Sequence, residues 1–320
     1  MMPEKISLSV VIPVYNVENY LSKCLDSLLA AEGMNDTEII LIDDGSTDNS
    51  GKVIEEYTLK HNNIRSFHTE NSGAAAARNI GIRNAVGDYI FFCDSDDRVD
   101  SGLLGRIIRK TKTATCDMFM WDCELFYETK SILARKDKSY FAHCGLERIE
   151  KEYSGKKIME NLVIRGKGVI ASVCLGCYRR KFLLDNELFF EEGIIYEDEL
   201  WVPRVLLSAK AVHYIPEKVY IYRVHDGSVT NPGADDRVKN IKVLMYVYPS
   251  LYNYYDSVLA GDPLKDAVEG NLTKRYLHMI YKYRFWKYGY GKDIDKQLLW
   301  RTSRKLRHKI MVLGLKLIAK

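Results

Sequence analysis

Asp94 and Asp96 stand one residue apart, directly after the apolar run Asp88–Cys93. Two carboxylates so spaced on a turn can share a hard divalent cation. Mg2+ or Mn2+ held that way keeps room in its shell for phosphate oxygens. Helix capping ahead of Leu103 is the plainer use of acids here, and it suits Asp97 and Asp100 better than Asp94 and Asp96. A calcium loop of the helix-loop-helix kind fits poorly, because its glycine and distal glutamate are missing. In Asp43-Asp44-Gly45-Ser46, an aspartate can accept from a nucleobase N–H or from ribose hydroxyls, although these are also ordinary turn residues. Arg78 lies in the small-residue stretch Gly73–Gly81, either as a surface arginine or with its planar fork toward a phosphate. That stretch is neither a dinucleotide-binding GxGxxG nor a P-loop, so nicotinamide and simple ATPase chemistry lose support. Glu197 and Asp198 sit at an expected helix start, where the dipole favours acids. They could equally provide a general base for a hydroxyl, one carboxylate keeping the other poised. Arg223 and His225, in Tyr222–Gly227, form either a structural pair or a polar loop over the site.

These residues need elements to hold them. Ser7–Pro13, a short and mostly apolar run, and Glu38–Ile42 read as buried strands, and Ile64–His68 and Asp88–Cys93 as a third and a fourth strand. Helical spacing runs from Val17 to Leu29. A further helix passes through Glu55 and Tyr57, with Ser46 or Thr47 as its cap, and another spans Ala74–Val86. Strands alternating with helices predict an α/β fold with a mostly parallel sheet and right-handed crossovers. Ligands of such sheets bind beyond the carboxyl ends of the strands. Three polar clusters fall at those ends: Pro13–Asn16, Asp43–Ser46 and Asp94–Asp97. Further on, Met118–Trp121 and Val219–Val224 read as strands, and Glu199–Ala209 as a helix entered through Tyr196-Glu197-Asp198. The stretch from Tyr127 to Tyr153 reads as a charged surface excursion. Asn231-Pro232-Gly233 is a linker signal, and amphipathic helix follows it.

The chain has 320 residues, 47% hydrophobic and 28% charged, enough for a sizeable core. Its net charge of +4 is too small to argue for nucleic acid. The distribution is uneven: Asn271–Lys320 holds 14 Lys/Arg against 2 Asp/Glu, so an acidic body carries a basic tail. Seven cysteines (24, 93, 116, 123, 144, 174 and 177) at irregular spacing do not read as a disulfide framework. Cys174-x-x-Cys177 has no second ligand pair, and plain buried thiols in a reducing cytosol are the expectation. No signal peptide and no run of about 20 apolar residues is apparent.

The assembled text resembles a family 2 glycosyltransferase with the GT-A fold, of the bacterial surface-polysaccharide type. The matching pieces are Ser9-Val-Val-Ile-Pro-Val-Tyr-Asn16, Ile42-Asp-Asp-Gly-Ser-Thr-Asp48, Asn71-Ser-Gly73 with Ala77-Arg-Asn-Ile-Gly81, Gly87-Asp-Tyr-Ile with Asp94-Ser-Asp-Asp97, and Tyr196-Glu-Asp-Glu199. They cover residues 6 to 230. The resemblance implies a GT-A (Rossmann-like) catalytic domain over 1–230, with a nucleotide-sugar half (1–100) and an acceptor half (101–230). Residues 231–320 would then be a basic helical extension. Pro13, Tyr15, Asp44, Arg78, Asp94 and Ser95 would bind the donor, a nucleoside-diphosphate sugar and by default a UDP-sugar. Asp96 would bind Mg2+ or Mn2+. Asp198, beside Glu197, would be the catalytic base of an inverting transfer to a saccharide or polyprenyl-linked acceptor. One stretch departs: where similar enzymes read Trp-Asn-Lys-Leu-Tyr, this chain reads Cys174-Leu-Gly-Cys-Tyr178, without the amide and the lysine. A metal-dependent nucleotidyltransferase is the competing enzyme, but it gives Glu197 and Asp198 no role. A nucleotide-sugar-binding membrane scaffold without turnover is the non-enzymatic alternative.

The tail interleaves Arg and Lys with aromatic residues over 274–287, and with aliphatic residues over 301–320. Such helices suit an anionic membrane surface, though they could instead pack on the catalytic domain or a second subunit. No RNA-recognition signature accompanies the charge. The expectation is a cytoplasmic protein, peripheral at the inner face of the membrane.

Overall fold

The computed structural model describes residues 5–129, 146–147, 149–164, 168–169, 171–225 and 236–318. Cys144, Asp226-Gly227, the linker Asn231-Pro232-Gly233 and most of the 127–153 excursion lie outside the described residues. The chain divides into two compact units. One comprises Met1–Ile158 and Ile170–Ser228, the other Met159–Val169 and Val229–Lys320.

The first unit is built on a nine-stranded sheet. Strands β1 (Leu8–Val14), β2 (Thr37–Asp43), β3 (Ile64–His68) and β4 (Tyr89–Phe92) pair in parallel in the order β3-β2-β1-β4. Val10, Val11, Ile12, Ile39, Ile40, Leu41 and Phe91 are wholly buried, as near-continuous apolar strands covered on both faces must be. The rest of the sheet mixes directions. It comprises β5 (Arg98–Val99), β6 (Met118–Tyr127), β7 (Lys151–Tyr153), β8 (Gly176–Arg179) and β9 (Val212–Val224). Here β8 runs antiparallel to both β4 and β6, while β6 and β9 are parallel. The expected strands at 118–121 and 219–224 are therefore parts of longer ones, β6 and β9.

Helices α1 (Leu21–Leu29), α2 (Ser50–Lys60), α3 (Ala74–Asn84), α4 (Ser101–Thr111), α5 (Gly155–Ile164), α6 (Arg180–Asp185) and α7 (Glu197–Ser208) follow the strands. Helix α3 lies hard against β1. A Cβ on Gly81 would meet Val11 Cγ1 at 2.2 Å, so only glycine permits this approach. Helix α2 starts later than expected. Neither Ser46 nor Thr47 caps it; instead Asp48 Oδ1 accepts from Ser50 N at 2.9 Å. Helix α7 begins at Glu197 rather than Glu199, because Tyr196 turns the chain in a left-handed conformation (φ 63°) just before it. Its buried face centres on Trp201, which stacks on Phe190 at 4.4 Å between ring centroids and meets Phe92 and Tyr178 edge-on.

The second unit is helical. It contains α8 (Asp236–Val258), α9 (Pro263–Tyr283), α10 (Lys296–Thr302) and α11 (Leu306–Ile318). Its core includes Leu244, Val247, Leu272, Leu277, Ile280, Phe285 and Val312, all at most 3% exposed. No helix among the described residues is long and apolar enough to cross a membrane.

Candidate functional site

The parallel register brings the three polar clusters together at the carboxyl ends of β1, β2 and β4. Val14 of β1 pairs with Asp43 of β2, and Asp44 N donates to Val14 O at 2.9 Å. Tyr15 projects from the end of β1 and is 49% exposed, an aromatic face open to a planar ring. Pro13 is half-buried just before it. Asn16 (φ 51°) holds the next loop, its Oδ1 accepting from the backbone of Thr47 at 2.8 Å and Asp48 at 3.3 Å. The buried Asp44 carboxylate accepts one backbone N–H on each oxygen, from Ser72 at 2.7 Å and Gly73 at 2.8 Å. It is thereby oriented, and each oxygen retains a further acceptor position.

Arg78 is the hinge of the arrangement. Small residues let α3 sink onto the sheet, so its guanidinium is buried. It donates through Nη2 to Asp94 at 2.9 Å and through Nη1 to Glu197 at 2.5 Å. Burial opposes its charge, but Asp94 and Glu197 more than offset that and hold it protonated. The end of β4 and the start of α7, 103 residues apart in sequence (197 minus 94), are thus tied into one cluster. Asp198, next to Glu197, is half-buried and accepts from Glu199 N at 2.9 Å. Burial, then the charges of Glu197 and Glu199, push its carboxyl well above the usual carboxylate range.

The turn after β4 is fixed from β9. Asp97 N donates to Asp94 O at 3.1 Å, while Ser95 is buried within the turn. Asp100 caps α4 by accepting from Leu103 N at 2.9 Å. Asp97 caps nothing, contrary to expectation. It is a buried acceptor for Tyr220 Oη at 2.5 Å and Arg223 N at 2.6 Å. Burial and the neighbouring Asp96 and Asp94 push its carboxyl up. Arg223 and His225 do reach the acidic cluster. Arg223 Nε donates to Asp96 O at 2.7 Å, its guanidinium lies over Tyr20 at 5.0 Å, and His225 Nε2 is 2.9 Å from Asp96 Oδ2.

Sequence reading missed Asn79. Its amide makes a two-way pair with the backbone of Phe190, accepting from N at 2.8 Å and donating to O at 3.0 Å, and also donates to Glu192 Oε1 at 2.7 Å. It clamps the segment that leads into α7. Tyr220 was also missed. It donates to Asp97, and it accepts from Asp94 N at 3.2 Å. The sequence cues to Asn79 were its place beside Arg78 in a small-residue helix and in the matching piece Ala77-Arg-Asn-Ile-Gly81.

The departing stretch has a structural reason. Gly176 in β8 lies so close to β6 that a Cβ would meet Phe119 O at 2.3 Å, so no lysine can stand there. Cys174 and Cys177 are buried free thiols. Burial and then Asp94 push the Cys174 thiol well up, and Arg78 pulls the other way.

In sum, Asp94, Asp96, Asp97, Glu197, Asp198 and Glu199 face Arg78, Arg223 and His225. Carboxyl groups outnumber the cationic side chains in this cluster. Asp96 Oδ2 and His225 Nε2 are 2.9 Å apart. The two are hydrogen-bonded, and the Asp96 carboxylate is the kind of hard oxygen donor that Mg2+ or Mn2+ prefers. Among the described residues, no group of three or more His, Cys, Asp or Glu is disposed to enclose a metal by itself.

The chain is similar to proteins already known. The model of glycosyl transferase family 2 matches residues 9–185. Glycosyltransferase GlyA of Streptococcus pneumoniae serotype 4 is 33% identical over 224 residues, 70% of this chain but 31% of GlyA, so the chain spans about a third of that relative. The fold is similar to that of S. aureus TarS 1–349 in complex with UDP-GlcNAc, with a TM-score of 0.66 at 19% identity, covering 97% of this chain and 79% of that one. It is also similar to mannosyltransferase PcManGT from Pyrobaculum calidifontis, in complex with GDP-Man and Mn2+. There the TM-score is 0.52 at 13% identity, covering 98% of this chain and 87% of that one.

Proposed function

The chain belongs to glycosyl transferase family 2, and on that footing we propose that it transfers a sugar, with inversion, from a nucleoside-diphosphate sugar to an acceptor hydroxyl. The observation that carries the reading is the Arg78 bridge, which sets the Glu197-Asp198 pair beside the Asp94–Asp97 turn. A base on the far side of the sheet could not serve a donor held at that turn.

Tyr15 stacks against the base of the nucleotide, and Asp44 accepts its N–H. A uracil with one such N–H suits a single carboxylate, and TarS, a structural neighbour, is seen with UDP-GlcNAc. Pro13 shapes the nucleotide's edge of the site, Asp94 and Ser95 meet the ribose side, and Arg78 lies toward the diphosphate. Asp96 would hold Mg2+ or Mn2+, whose chemistry would be to neutralise charge growing on the departing diphosphate, and His225, hydrogen-bonded to Asp96, belongs with Arg223 to the polar loop over the acceptor and phosphate side. Arg223 holds the Asp96 backbone and the Asp97 turn in register. Asp198 takes the acceptor proton as the oxygen attacks the anomeric carbon from the face opposite the diphosphate. Burial and its acidic neighbours raise its proton affinity, which suits a group that takes a proton. Residues 1–100 form the donor half and 101–230 the acceptor half. The acceptor is a saccharide or a lipid-linked saccharide of cell-surface polysaccharide synthesis, met by a cytoplasmic enzyme at the inner face of the membrane.

The test is a thermal-shift screen of nucleotide sugars with and without Mn2+, followed by release of nucleoside diphosphate with saccharide acceptors. Asp198→Asn should keep the donor-induced shift and lose turnover by about a hundredfold or more. Turnover that survives this change removes the base assignment, and a shift indifferent to Mn2+ removes the metal.

A further inference from the structure

Helix α11 has two apolar faces, and the fold uses only one. His308, Val312 and Leu315 are at most 5% exposed and form the buried face. On the other side Leu306, Ile310, Leu313 and Leu317 are 74%, 58%, 46% and 73% exposed. Spaced 4, 3 and 4 residues apart, they fall within about 60° of arc on a helix of 3.6 residues per turn. This is a continuous apolar ridge pointing away from the core, not a scatter of single exposed residues.

The ridge is flanked by positive charge. Lys309 and Lys316 lie along one side and Arg307 along the other, by the same helical geometry. Trp300, at the end of α10, is 38% exposed, and Lys309 and Lys316 lie over its ring at 5.3 and 5.9 Å. From Lys296 to Lys320 the chain carries eight Lys/Arg and no Asp/Glu. Arg304, one of the eight, turns to Asp266 at 2.6 Å.

We propose that the outer face of α11 is the docking surface of this protein for an anionic lipid bilayer. Leu306, Ile310, Leu313 and Leu317 enter the acyl boundary. Arg307, Lys309 and Lys316 meet lipid phosphates, and Trp300 lies at headgroup level. An apolar ridge with basic flanks is the pattern of a helix that lies in the plane of a membrane surface, and tryptophan is at home at that depth. Charge decides between lipid and a second copy of this chain. Pairing two such faces would bring two uncompensated basic segments together, whereas an anionic surface compensates both rows of cations. The proposal extends the lipid-linked acceptor reading to a named surface. Its readout is binding and not turnover, so either can fail without the other.

The experiment is co-sedimentation of the full chain with vesicles of phosphatidylcholine, alone or mixed with phosphatidylglycerol. The wild type should pellet with the anionic vesicles, stay in solution with neutral ones, and be released by salt. Ile310→Ser/Leu313→Ser/Leu317→Ser should abolish pelleting while the chain still melts cooperatively, because all three side chains are about half or more exposed. Lys309→Gln/Lys316→Gln should weaken it about twenty-five-fold, about fivefold per charge. Wild type that stays in solution with anionic vesicles overturns the proposal, as does a triple-serine variant that pellets like wild type. A dimer in sedimentation velocity that the triple-serine change dissolves, with no vesicle binding, also overturns it and gives the ridge to a second copy.

Discussion

Asp198 must be a carboxylate to accept a proton and must be basic enough to hold one. Burial together with Glu197 and Glu199 raises its proton affinity, and Arg78 opposes them. The base works in its ionised form, so kcat/KM should fall as pH drops through this raised value, at a pH above that of an ordinary aspartate. Glu197→Gln removes one repelling charge and frees Arg78 from one of its two carboxylates, and both changes favour ionised Asp198. The acid limb of the kcat/KM profile should therefore move to lower pH in this variant, whatever happens to its height. A limb that stays in place assigns the titration to another group. The pair at 197–198 was legible in sequence as two adjacent acids at a helix start. Its partner was not, because Arg78 is reached only through the packing of α3 on the sheet. Asp97 was misread for the same reason. Its partners lie on β9, Arg223 being 126 residues away, and no local pattern separates such an acid from a helix cap.

At the scale of elements, the three strands whose ends carry the polar clusters, β1, β2 and β4, were legible because each is a short apolar run ended by turn residues. The mixed half was less so. The strand β5 has two residues and β7 three, too short for any periodicity, and β8 depends on Gly176 letting β6 approach. The placing of α7 follows from Asn79. Its amide replaces, for the backbone of Phe190, the pairing that a neighbouring strand would give. Asn79→Ala leaves a buried N–H and C=O unsatisfied, which should cost about 1–3 kcal/mol of stability in a urea titration. It also frees the 190–196 segment, so kcat should fall while the donor-induced thermal shift stays near wild type, since the donor contacts of β1, β2 and β4 are untouched. Equal losses in donor affinity and kcat would mean that Asn79 merely supports the sheet.

At the scale of the whole molecule, the division into units differs from a simple cut near residue 230. Residues 159–169 leave the first unit, join the second and return at 170. Nothing in the sequence marks this excursion, because α5 carries on through the boundary as one helix. The segment is built into the helical unit. Arg275 Nη1 donates to Val169 O at 3.3 Å, and Gly168 (φ 81°) faces Asn271, one turn earlier on α9, so closely that a Cβ would meet its Oδ1 at 2.7 Å. Met159 and Leu162 are at most 1% exposed. A chain ended after Ser228 keeps every residue of the proposed site yet strips residues 159–169 of the helices they belong with. It should bind an apolar dye and unfold at a lower temperature and less cooperatively than the full chain, because buried aliphatic side chains then face water. Restoring residues 229–320 as a separate polypeptide should reverse both effects if the 159–169 segment is the docking element. A truncated chain that melts as sharply and as high as the full one would mean that the first unit holds this segment by itself.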